Sequence, residues 1–143
     1  MVDAERWLKL LLRVVGGAMV LAVFGVLMPR GWMAACHRWM GLGEFPAGPM
    51  IEYLARMTSG LYAMAGVVFL VAAGDVRRYG PVITVFAVGF LVMAPVVLAF
   101  LVCYGSPMIW YAVGDVATAV PAMVLILFLQ ARVRRQDRLT GKG

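Results

Sequence analysis

The sequence predicts an all-α integral membrane protein: a bundle of four transmembrane helices, with a short interfacial helix between helices 1 and 2. Three observations predict it. Hydrophobic residues make up 64% of the 143 positions and charged residues 14%, where soluble domains run at about 45–50% and about 25%. The apolar residues gather into runs long enough to cross a bilayer. The basic residues sit at the ends of those runs, where they orient membrane spans. A soluble chain this short could not bury so much apolar surface in one core, so lipid is the natural solvent for the excess. Net charge is +6. Because that charge is distributed over segment ends, a nucleic-acid partner is rejected. One domain, 1–143, is expected.

The first span is read at about 7–28. It follows a basic amphipathic lead-in containing Arg6, Lys9 and Arg13, whose long side chains can reach the headgroups. The alternative is a signal peptide, but Met28-Pro29-Arg30 stands where a small-residue cleavage site would have to be. A faint lipoprotein-like box, Met33-Ala34-Ala35-Cys36, lies too far from the apolar run.

The connection from Pro29 to Met50 contains Trp32, Cys36, Trp39 and Met40 at helical spacing. This predicts a helix over 31–40 lying in the membrane interface, anchored by Trp32 and Trp39. Gly41-Leu42-Gly43 ends it, and Pro46 and Pro49 keep the chain extended. The second span is read at about 51–73, followed by a turn with Arg77 and Arg78. From Tyr79 to Gly114 there is no charge. That is too long for one span, and Gly105-Ser106-Pro107 divides it into spans at about 81–103 and 108–130. Pro95 and Pro121 lie inside these spans and predict kinks. A basic tail, 131–143, is expected to fray beyond Arg135.

Orientation follows from the basic residues. With both ends on one side, that side holds Arg6, Lys9, Arg13, Arg77, Arg78, Arg132, Arg134, Arg135, Arg138 and Lys142. The other side holds only Arg30, Arg38 and Arg56. Both termini are therefore expected in the cytoplasm.

Within the spans, the polar residues of interest are few. Glu52, Arg56, Ser59, Ala63 and Gly66 are spaced 4, 3, 4 and 3 apart and share one face of span two. Below the charges that face is small, which suits close helix packing in lipid. On span four, Tyr111, Asp115, Thr118 and Ala122 form a comparable stripe. Arg56 and Asp115 lie at compatible depths, and an unpaired charge near mid-bilayer costs about 2.5–3.5 kcal/mol. A buried Arg56–Asp115 pair is the expectation, either as a clamp that fixes helix register or as a polar pocket for a proton, an anion or a small ligand. Glu52, one turn before Arg56, is the competing partner for it.

Cys36 and Cys103 fall on the same, outer side in this topology, so a disulfide is possible there; two free thiols are the simpler reading. Met33-Ala34-Ala35-Cys36-His37 lacks the first cysteine of a haem-attachment motif, and a single histidine without an acid cluster does not make a zinc site. No cofactor and no metal are expected. The chain carries no phosphate-binding loop, nucleophile elbow or HExxH motif, and no catalytic residue is assigned.

Arg56-x-x-Ser59-Gly60-x-Tyr62-x-x-x-Gly66 at the head of span two, together with a lone acid in span four, resembles the small four-helix membrane proteins of the broad DoxX-like group. The resemblance implies a bacterial inner-membrane bundle, with an accessory role in a redox system among the roles open to it. The function expected from the residues is a non-enzymatic accessory or scaffold that contacts lipid, other membrane proteins or itself. The alternatives are a small-ligand or proton pathway through the Arg56–Asp115 pocket and a quinone-linked redox accessory.

Overall fold

The computed structural model describes residues 4–105 and 109–140, apart from the side chains of Tyr111 and Thr140. Six helices follow one another: α1 (Ala4–Val20), α2 (Val23–Leu27), α3 (Arg30–Trp39), α4 (Pro49–Ala72), α5 (Gly80–Cys103) and α6 (Ile109–Thr140). No strand occurs among the described residues. Four stretches are long and apolar enough to cross a membrane: Ala4–Leu27, Pro49–Ala72, Gly80–Cys103 and Ala112–Leu139. A helix of 24 residues, such as α4 or α5, is about 36 Å long at 1.5 Å per residue, more than the roughly 30 Å of hydrocarbon. Helices are what such sequences must form in lipid, where backbone groups have no water to bond.

The first stretch is interrupted at Leu21 and Ala22. There the bonding shifts to i−3, with the Ala22 N–H donating to the Met19 carbonyl and the Phe24 N–H to the Leu21 carbonyl. Pro95 and Pro121, by contrast, both lie within uninterrupted helices. Residues 131–140, read from sequence as a basic tail that frays beyond Arg135, are helical and continue α6.

The end of α3 follows from its glycine. Gly41 has φ +76°, the left-handed conformation that a residue without Cβ adopts freely. The Leu42 N–H then reaches back to the His37 carbonyl and the Gly41 N–H to the Arg38 carbonyl, the paired closure that satisfies the last carbonyls of a helix. Trp32 and Trp39, the expected anchors, are 69% and 88% exposed, while Met33 is buried on the other side.

The chain forms two compact units, one of Met1–Arg13 with Val71–Gly143, the other of Val14–Leu70. In the first, α5 and α6 pack against each other. Gly80, Ile83, Ala87 and Ala94 are the buried side of α5, and Met123, Ile126, Gln130 and Val133 that of α6. Spacings of 3 and 4 place each set on one helix face.

In the second unit, the small face of α4 packs on the first span. A Cβ added at Gly66 would lie 2.6 Å from the Gly16 carbonyl oxygen and 2.7 Å from the Val20 nitrogen. A Cβ at Gly25 would lie 2.5 Å from Ser59 Oγ. Going back along α4 from Gly66 to Ser59 thus corresponds to going forward along the first span from Gly16 to Gly25, as in an antiparallel pair. Without a hydrophobic drive between helices in lipid, such close backbone approach supplies the packing energy.

Candidate functional site

The antiparallel pairing in the second unit continues to Arg56 and Glu52. Arg56 is half-buried, and its guanidinium donates to the backbone carbonyl of Val26. The reason lies in the local sequence. Val26 is in the last turn of α2, where the carbonyls run out of helical N–H partners. Met28 is extended, with ψ 127°, so the chain has already left the helix. Arg56 fills the vacant donor position, and its charge suits the negative end of the helix. One turn earlier on α4, Glu52 accepts an ion pair from Arg30, at 3.2 Å.

These contacts correct the expected pairing. No buried Arg56–Asp115 pair is present among the described residues. Asp115 is exposed on α6 and takes part in no ion pair among them. Glu52 pairs with Arg30 rather than Arg56. Thr118 turns its hydroxyl back onto its own helix, donating to the carbonyls of Gly114 and Asp115. Ser59 is in the helix contact at Gly25. The side chain of Tyr111 lies outside the described residues. Cys36 and Cys103 are free and exposed, so the possible disulfide is absent. His37 has its Nδ1 3.1 Å from the Gly43 carbonyl and its ring edge-on to Phe45, which steadies the loop after α3.

A second polar cluster, in the other unit, was not anticipated from the sequence. Its first part is an ion-pair bridge. Arg77 presents Nε and a terminal nitrogen to the two carboxylate oxygens of Asp137, at 3.1 and 3.0 Å, and reaches Glu5 at 2.9 Å. Fork-on-fork geometry of this kind fixes direction as well as charge. The hydrogen bond to Asp137, then the negative charge of Glu5, raise the Arg77 pKa further above its already high value. Glu5 also holds Lys9 one turn along α1. The Asp75 carboxylate accepts the N–H groups of Arg77 and Arg78 and shapes the turn that delivers Arg77.

The second part surrounds Gln130, which is only 4% exposed. Its amide nitrogen donates to the Gly80 carbonyl, and its amide oxygen accepts from Thr84 Oγ1 at 3.1 Å. Arg134 donates to the same hydroxyl at 3.1 Å. Gly80 permits this approach, since a Cβ there would sit 3.2 Å from the Gln130 nitrogen. Between the two parts lies a recess of about 300 Å³ with Arg77, Gln130, Arg134 and Asp137 in its lining.

The sequence carried a signal for this cluster. Gln130, Val133 and Asp137 extend the 3-and-4 spacing of the apolar Met123 and Ile126, and Asp137 is the acid among the arginines of 132–138. Ending the span at Gln130 and expecting the chain to fray beyond Arg135 hid the continuation to Asp137.

Compared with known proteins, the chain matches no family model, no curated protein and no solved structure.

Proposed function

We propose that the protein is a non-catalytic membrane scaffold, whose fourth apolar stretch, in α6, docks a helix of another membrane protein through Asp115. The observation that carries the reading is the contrast between Asp115 and the other polar residues of the spans. Arg56, Glu52, Gln130 and Thr84 are engaged in holding the protein's own helices. Asp115 lies within an apolar stretch, exposed and without an ion pair among the described residues. A charge facing lipid costs about 2.5–3.5 kcal/mol at the centre of a span and less toward its ends, where Asp115 lies. A partner helix with an arginine, lysine or hydrogen-bond donor at the same depth removes that cost.

The same proposal takes in the membrane setting. The charge asymmetry puts both termini in the cytoplasm, and the resemblance to the DoxX-like group puts the chain in a bacterial inner membrane. In that setting α3 lies along the outer surface, with Trp32 and Trp39 at headgroup level.

Photo-crosslinking in intact membranes tests the docking. A crosslinker at Thr118 should give a discrete protein adduct that Asp115→Leu abolishes, while one at Val85 should label lipid. A partner of the chain's own mass would identify a second copy as the docked helix. Lipid adducts alone at Thr118, or an adduct unaffected by Asp115→Leu, would overturn the proposal.

A further inference from the structure

We infer that the recess between the Arg77 bridge and Gln130 binds a phosphate-bearing anion, in a bilayer the headgroup of an anionic phospholipid. The inference relies on the chain being in a membrane and is independent of docking at Asp115.

The position suits a headgroup. Gly80 begins the apolar stretch of α5, and Gln130 directly follows the apolar run Val124–Leu129 of α6. The recess therefore lies where two spans reach the membrane boundary. Its volume, about 300 Å³, is at the small end of ligand sites, about 300–1,000 Å³.

Its chemistry suits a phosphate. Arg134 is exposed, and among the described residues its guanidinium makes a single hydrogen bond, to Thr84. A guanidinium has five N–H donors in a planar fork that matches two phosphate oxygens. Gln130, buried and held at both ends of its amide, presents its nitrogen at the wall with one of two N–H groups directed to Gly80. Arg77 also lines the recess, but the carboxylates of Asp137 and of Glu5, the latter shared with Lys9, fully offset its charge. That balance matters. With Arg77 taken up by its two carboxylates, Arg134 is the guanidinium left to bind a phosphate. Arg78, Arg132, Arg135 and Arg138 are all exposed in the neighbouring segments, and such basic clusters draw anionic lipid to the membrane surface.

A lipid fits better than free phosphate. Val82 and Val85 are exposed on α5 just beyond Pro81, and they continue from the recess along the apolar stretch, the track that acyl chains take.

The experiment uses the full chain in nanodiscs and counts retained lipid by native mass spectrometry. The bilayers are phosphatidylcholine alone and phosphatidylcholine with about one phosphatidylglycerol in five, the anionic lipid supplying the surface charge. The intact protein should retain phosphatidylglycerol in preference to phosphatidylcholine. Arg134→Gln should lower that retention between about ten- and a hundred-fold, the range for hydrogen bonds to a charged group. Arg138→Gln removes the same charge from the surface nearby and should lower it by at most about five-fold. If Arg134→Gln does not fold, Arg134→Lys keeps the charge without the fork and should still cost more than Arg138→Gln. A third bilayer, phosphatidylcholine with inorganic phosphate, separates the sources. Phosphorus line-broadening there that Arg134→Gln removes would support the site and identify free phosphate as its ligand. Equal losses for the Arg134 and Arg138 variants, or no preference for phosphatidylglycerol and no phosphate signal, would overturn the inference.

Discussion

In residues 14–70 the helix backbones meet at glycines, whereas in the unit containing α5 and α6 polar side chains link the helices. The first arrangement, at Gly16 and Gly66, has no room for a methyl group. The second, around Gln130, bonds the amide at both ends and still borders an open recess. Helices in lipid have no hydrophobic drive toward one another, and close packing and interhelical hydrogen bonds are the two main substitutes. This chain uses one in each unit. The difference matters for function, because glycine packing fills space and a hydrogen-bonded cluster can leave polar atoms beside an opening.

The largest effect should come from Gly66→Leu. The new side chain would meet the backbone of Gly16 and Val20, which cannot turn aside, so the cost should be about 3 kcal/mol or more. Unfolding in detergent would measure it. Hydrogen exchange should accelerate across residues 14–70 and leave α5 and α6 protected. Acceleration everywhere would break the comparison by showing that the two units unfold as one.

Arg56→Met comes next. It strips the Val26 carbonyl of a charged donor, and such bonds contribute about 1.5–3 kcal/mol. Asp115→Leu should not reproduce the loss, and the two changes together should be additive in stability. A rescue of one by the other would mean that the two side chains do interact.

Gln130→Leu should cost about 1–2 kcal/mol, the usual size of interhelical hydrogen bonds in membranes. It should act on the exchange of α5 and α6 alone. No loss at all would show that apolar packing, not the amide, holds that pair of helices.

The smallest effect belongs to Asp137→Asn. Arg77 is well exposed, so water and salt screen the pair. A slight loss of stability that vanishes at high salt is expected. A loss that salt does not touch would place the bridge deeper in the energetics than its exposure allows.

Much of the local structure was legible in the sequence. Composition gave the membrane class, because an apolar excess of this size has no other solvent. The stop after α3 was written in Gly41, and the small face of α4 in the spacing of Ser59, Ala63 and Gly66. The cluster at Gln130 was half legible, since its spacing extends the core of α6, but polarity and an arginine-rich neighbourhood made the residues after Gln130 read as a tail.

Spacing along one helix determines which residues share a face, and that much the sequence decided by itself. It does not determine which other helix meets the face, and there the tertiary structure had the decision. Arg56 had to find an acceptor at its own depth, and by charge alone Asp115 was the obvious one. The antiparallel approach of α4 to the first span instead brought it to Val26, whose carbonyl lies at the end of α2, where the chain turns extended at Met28. A carbonyl at a broken helix end can serve an arginine as acceptor in place of a carboxylate, and no sequence pattern says which of the two it will reach before the helices have met.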